Sequence, residues 1–261
     1  MPEGRARSRD RGGPFPRAYA EDSRRPLHVL AFLLPAIIAY EVGLAMQAEE
    51  LAGGGVRAWT MLADVLSAFS LSRTTIIGFS LPAIVIVVVL LVWHVLEKSR
   101  WRVRPVVLGW MAIETLALTA PLLLISGVLG SLAMQDGPPA GDGFSDLSWR
   151  GRLVIAIGAG LYEELLFRLA LIPLLHSILA DLMRLGPRAA FGGALVLSSA
   201  GFALYHDVLT PGGIDLWAAV LYFVPGLYFG ALFLVRGFGI AAGVHVAYDV
   251  AVLVLLGPAP G

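Results

Sequence analysis

The stretch "AGLYEELLFRLALIP", Ala159 to Pro173, places Glu163, Glu164 and Arg168 inside an otherwise apolar segment. That segment, Leu153–Leu182, exceeds the ~20 residues that cross ~30 Å of hydrocarbon as an α-helix. Ionisable groups inside a membrane span cost a few kcal/mol on insertion scales, so they are usually paired or functional. At ~100° per residue, Glu164 and Arg168 share a helix face and can pair, whereas Glu163 points about 100° away from Glu164. A structural ion pair therefore explains Glu164 and Arg168. It leaves Glu163 as a carboxylate without that partner in a low dielectric, the setting of a general base or acid.

The rest of the chain has the same character. It is 57% hydrophobic and 15% charged with a mean hydropathy of +0.79, against about 25% charged in soluble domains. The expected fold is an all-α polytopic transmembrane helical bundle with seven or eight spans. Candidate spans are Leu27–Ala45, Ile76–Leu96, Pro105–Met134, Leu153–Leu182, Ala189–His206, Leu216–Val235 and Gly239–Leu256. Pro105–Met134 and Leu153–Leu182 are overlong, with Pro121 and Pro173 as the expected breaks. Small residues spaced by four, Gly226 with Gly230 and Gly239 with Gly243, permit close helix packing.

Residues 1–26 are rich in Arg, Gly and Pro and read as a basic, disordered cytoplasmic tail. "SRRPLHVLAFLL" resembles a twin-arginine signal, but the long apolar run without an A-x-A site favours a retained first span. Residues 27–261 then form one transmembrane domain. Lys98, Arg100, Arg102, Arg104, Arg184, Arg188 and Arg236 fall on the side of the tail, which predicts a cytoplasmic N-terminus. The segment Val56–Arg73 has the spacing of an amphipathic helix on the outer interface. No organelle-targeting pattern is present, which fits a multi-pass protein of a bacterial plasma membrane. Zero formal net charge gives no handle for nucleic acid, and the absence of cysteine excludes disulfides, thiolate metal sites and a cysteine nucleophile.

Two further spans carry ionisable groups. "FALYH" sets Phe202 one turn before His206, and "HVAYD" sets His245 and Asp249 on one face, where the Asp can accept the Nδ1 proton of the His. Glu41, Glu114 and His94 in the earlier spans, and His176 after Pro173, read as helix–helix hydrogen-bonding or interfacial residues. Converging on Glu163, the two His segments would form a water-activating site with a base, a proton-relaying imidazole and oxyanion donors.

The order E-E-x-x-x-R, F-x-x-x-H, H-x-x-x-[ND] on successive apolar segments resembles the CAAX-protease and bacteriocin-processing family of intramembrane glutamic endopeptidases. The motifs read "EELLFR" at Glu163–Arg168, "FALYH" at Phe202–His206 and "HVAYD" at His245–Asp249, so the resemblance covers the catalytic helices of residues 153–256. It implies hydrolysis of a peptide bond in a membrane-associated protein or peptide, without a covalent intermediate or a cofactor. By the same resemblance, Glu163 activates water with His206, and His245 and Asp249 stabilise the oxyanion. Glu164 and Arg168 hold the site together, with Phe202 as a further supporting residue. Many members carry Asn where this chain has Asp249. An ionised Asp cannot donate to an oxyanion, so the expectation is that Asp249 orients His245 and the imidazole alone donates.

Three considerations compete. Glu163, His206 and His245 form a possible two-His, one-carboxylate zinc set, although an H-E-x-x-H helix is missing. A non-catalytic immunity or scaffold protein, or a transporter using the same groups as a proton relay, would show the same buried charges. Topology raises the third: in a straight seven-span arrangement His206 sits near the outer end of its helix and His245 near the inner end of its own. They meet only if a helix breaks, a segment re-enters or an eighth crossing exists.

Overall fold

A computed structural model describes residues 17–47, 76–133, 147–206 and 208–256, with backbone alone for 17 and 76–82. Val56–Arg73 and the tail before Arg17 lie outside the described residues. The described chain is helical apart from one short hairpin. Its elements are α1 (Arg17–Asp22), α2 (Pro26–Met46), α3 (Ile76–Leu96), α4 (Pro105–Ala133), α5 (Trp149–Leu182), α6 (Pro187–Tyr205), α7 (Leu216–Arg236) and α8 (Phe238–Leu255). Strands Leu209–Thr210 and Gly213–Ile214 pair antiparallel between α6 and α7. Six helices are long and apolar enough to cross a membrane, and α3 is apolar over Ala83–Leu96. These seven helices coincide with the seven stretches read from the sequence, and the described residues contain no eighth crossing.

Close contacts set the helix directions. Gly43 lies against Val154 and the Tyr40 ring meets Tyr162 edge-on at 4.9 Å, so α2 and α5 run antiparallel. Gly239 lies against Val29 and Gly243 against Phe32, which makes α8 parallel to α2. Gly226 meets Ser199 and Phe202 while Gly230 meets Leu195, so α6 and α7 are antiparallel. Between α7 and α8 the chain reverses at Gly237, whose φ of 88° is a conformation that L side chains rarely adopt.

The tightest approach is Gly160 of α5 to the backbone of Val246 in α8, where a Cβ on residue 160 would overlap the Val246 nitrogen. Backbone cannot move aside as a side-chain tip can. Gly160→Ala is therefore expected to force α8 off α5 and to destabilise the protein by about 1–3 kcal/mol. A lowered thermal midpoint in detergent checks this, and an unchanged midpoint refutes it.

The overlong helix α5 does not break at Pro173. It is α-helical to Glu164, widens into π-winding over Leu165–Leu171, resumes as α over Ile172–Ser177 and widens again over Ile178–Leu182. Proline lacks an N–H and its ring clashes with the carbonyl four residues back, and the wider winding just ahead of it absorbs both. The Phe167 carbonyl in that stretch accepts from Ser198 Oγ at 2.7 Å. Helix α4 runs through Pro121 without a break.

One part of the tail folds. Arg17–Asp22, placed in the disordered segment by its composition, forms α1 because its polar groups find partners on distant helices. Tyr19 donates to Glu114 Oε2 at 2.5 Å, and Arg236 reaches Glu114 Oε2 at 2.8 Å and Ser23 Oγ at 3.2 Å. Burial, with the Glu114 carboxylate alongside, raises the pKa of the Tyr19 hydroxyl well above its ordinary value, so it stays a donor. Asp22 pairs with Arg104 at 2.8 Å and Arg25 at 3.3 Å. These ties gather α1, the starts of α2 and α4, and the end of α7 at one end of the bundle.

Candidate active site

Glu163 and Glu164 end the first α-helical part of α5, immediately before the winding widens. Both are buried, at 5% and 0% exposure, as are Arg168 at 1% and His245 at 3%. Glu164 Oε1 is the hub of one arm: Arg168 Nη1 lies 3.0 Å away and His245 Nδ1 2.8 Å away. Arg168 also donates Nη2 to the Gly226 carbonyl at 3.1 Å. Its guanidinium lies over the rings of Phe202 at 4.4 Å, Phe229 at 5.5 Å and Phe167 at 5.9 Å. A planar cation enclosed this way has its charge paired with Glu164 and its faces covered by aromatic rings.

The second arm gathers on Glu163. Its Oε2 lies 3.9 Å from His206 Nε2 and 3.8 Å from His245 Nε2. Both separations exceed a direct hydrogen bond. His206 Nδ1 sits 2.8 Å from the Phe202 carbonyl. A carbonyl oxygen only accepts, so Nδ1 carries a proton, and in the neutral ring Nε2 turns its lone pair toward Glu163.

The structure thus brings Glu163, Glu164, Arg168, Phe202, His206, His245 and Asp249 into one cluster, and the topological objection dissolves. His206 is the residue that ends α6, with extended backbone (φ −81°, ψ 163°). Its ring folds back onto Phe202 instead of pointing beyond the helix. His245 lies about two turns inside α8 at 3.6 residues per turn, away from either end. Fold-back at one helix end and depth in the other close the gap.

Asp249 requires a correction. It does not take the Nδ1 proton of His245, which goes to Glu164; its Oδ2 instead faces Nε2 at 3.4 Å. The i,i+4 spacing brought the Asp to the ring, but α8 turns the other nitrogen toward it. Among the described residues, no group of three His, Asp or Glu side chains has the arrangement of a metal site.

Residues without motif character also shape the site. Tyr222 stacks on His206 and Phe229 on His245, both from α7. The signal available in the sequence was the Gly226/Gly230 pair, which marks the closely packed side of that helix. Tyr162 turns away toward Tyr40 and donates to Glu41 at 3.3 Å. Glu114 pairs with Arg236, His94 meets Trp101 edge-on, and His176 lies on Phe191, all as helix-packing contacts.

Residues 146–251 match the model of a family described as type II CAAX prenyl endopeptidase Rce1-like. No curated protein and no solved structure matches the chain. The matched segment holds every side chain of the cluster, and over that segment the chain is similar to this family of membrane endopeptidases.

Proposed function

We propose that the protein is a glutamic-type intramembrane endopeptidase that cleaves a membrane-associated protein or peptide by direct attack of water. The observation that carries this reading is the meeting of Glu163, His206 and His245 from three separate chain segments. An unprotonated His206 Nε2 and the Glu163 carboxylate are both acceptors, 3.9 Å apart. One water donating an O–H to each satisfies both and leaves its own lone pair for attack.

In the reaction Glu163 takes a proton from that water while the oxygen bonds to the scissile carbonyl carbon. His245, its Nδ1 proton anchored on Glu164, presents Nε2–H to the developing oxyanion, and Asp249 holds that nitrogen in place. When the tetrahedral intermediate collapses, the C–N bond breaks and the proton on Glu163 passes to the leaving amine, with His206 relaying it. Glu164 and Arg168 support the geometry without entering the chemistry. The basic residues gathered with α1 at one end support a cytoplasmic N-terminus by the positive-inside rule, in a multi-pass protein of a bacterial plasma membrane.

Reconstituted protein assayed on membrane-anchored peptides tests this reading. Prenylated C-termini, leader peptides and sorting tails form the panel. His206→Ala is expected to lower turnover about 10²–10³-fold at unchanged abundance, and chelators are expected to leave the wild type active. Activity abolished by chelation and restored by zinc would sink the metal-free mechanism.

A further inference from the structure

Helix α7 contributes no carboxylate or imidazole to the cluster, yet both imidazoles rest on it. Tyr222 stacks on His206 with centroids 3.9 Å apart and 18° between planes. Phe229 stacks on His245 at 4.1 Å and 14°. The other rings beside His206 are not parallel to it: Phe202 is tilted at 53° and Tyr205 stands at 87°. Tyr222 and Phe229 are separated by about two turns, so they share one face of α7, with the Gly226 carbonyl that binds Arg168 between them.

We propose that Tyr222 is a positioning residue for the reaction, acting through His206, and that Phe229 does the same for His245. This rests on the reading of Glu163 and His206 as the water-activating pair. The argument is strongest at Tyr222. His206 caps the C-terminal end of α6, its backbone tied to the Ala203 carbonyl and the Val208 N–H, so side-chain contacts are what orient its ring. Two of them bear on the geometry. The Nδ1 contact to the Phe202 carbonyl decides which nitrogen faces Glu163, because a ring flip would break it. The stack on Tyr222 decides the plane of the ring, because a quarter-turn about Cβ–Cγ would drive its edge into the phenol. His245 has less need of the stack, being embedded in α8 and bonded to Glu164.

Steady-state kinetics of the full-length reconstituted protein provide the test, with ¹⁵N NMR of the His206 imidazole. Tyr222→Ala is expected to lower kcat about 10- to 100-fold with KM changed little, the size of effect that follows loss of near-attack geometry. The His206 signals are expected to pass from one tautomer to a mixture. Tyr222→Phe keeps the stack and is expected to recover most of kcat. Val220→Ala on the opposite, lipid-exposed face of α7 serves as the control. Tyr222→Leu fills the space without an aromatic face, and replaces the Ala variant if that one fails to fold.

A wild-type kcat in Tyr222→Leu overturns the proposal. So does an effect confined to KM, which makes Tyr222 a substrate contact, or a failure of Tyr222→Phe to rescue, which gives the hydroxyl a chemical role. Glu163→Gln is run alongside. An active Glu163→Gln removes the underlying mechanism, whereas a dead one beside an unaffected Tyr222→Leu removes only the positioning role.

Discussion

Glu163→Gln is expected to abolish proteolysis, lowering turnover by about 10⁴-fold, at the upper end for loss of a general base, in protein that inserts and accumulates like the wild type. The substitution is nearly isosteric, and an amide cannot accept the proton of the attacking water. The fold should not notice it. The Glu163 carboxylate stands 3.8 and 3.9 Å from its two imidazole neighbours, too far for a direct bond to either. Arg168, which would suffer from losing a counter-ion, is paired with Glu164 instead. The measurement is single-turnover cleavage of a membrane-anchored peptide, with abundance read on the same sample. Unchanged cleavage would falsify the glutamate mechanism and leave a scaffold or immunity role as the better account.

Glu164→Gln is expected to fail in a different way, by losing the protein. Its Oε1 is shared by Arg168 and His245 at 3.0 and 2.8 Å, with no exposure to solvent. Removing the charge strands a buried guanidinium, and breaking such a pair from one side costs about 3–5 kcal/mol. Arg168→Met should destabilise by a comparable amount. The double variant Glu164→Gln/Arg168→Met should recover part of the loss, because neither charge is left without its partner. Thermal midpoints in detergent and abundance in membranes read all three. If Glu164→Gln accumulates normally but is inactive, the residue belongs to the chemistry and the division between the two adjacent glutamates is wrong.

The pairing of Arg168 with Glu164, and not with Glu163, was legible in the sequence, because residues one apart on a helix face different ways and residues four apart face the same way. The spans were legible for a related reason: hydropathy summed over about 20 residues overrides local detail. What escaped was information held by distant partners or by backbone winding. Arg17–Asp22 looks like tail because its partners, Glu114 and Arg236, are far along the chain. The π-winding at Leu165–Leu171 has the composition of ordinary helix, so nothing in it announces a changed hydrogen-bond register. Asp249 was assigned the wrong nitrogen of His245 because spacing reveals neighbours on one helix only. Glu164 reaches that ring from 81 residues away. Tyr222 and Phe229 went unnoticed for want of a carboxylate or an imidazole, although the imidazoles of His206 and His245 stack on them.

The junction of α1 with Glu114 and Arg236 bears on how the protein is made. Arg236 is 213 residues downstream of the Ser23 it binds and 122 downstream of Glu114. At about 5–20 residues per second, roughly ten to forty seconds of synthesis separate Ser23 from Arg236. For much of that time Glu114 has entered the bilayer without the arginine that neutralises it, at a cost of the order of 2.5–3.5 kcal/mol on insertion scales. Closure of this end of the bundle therefore waits for the seventh helix described here. A ribosome that stops before Arg236 leaves a chain in which Tyr19 and Arg104 can still hold α1, but in which the Glu114 carboxylate has no cation to neutralise it.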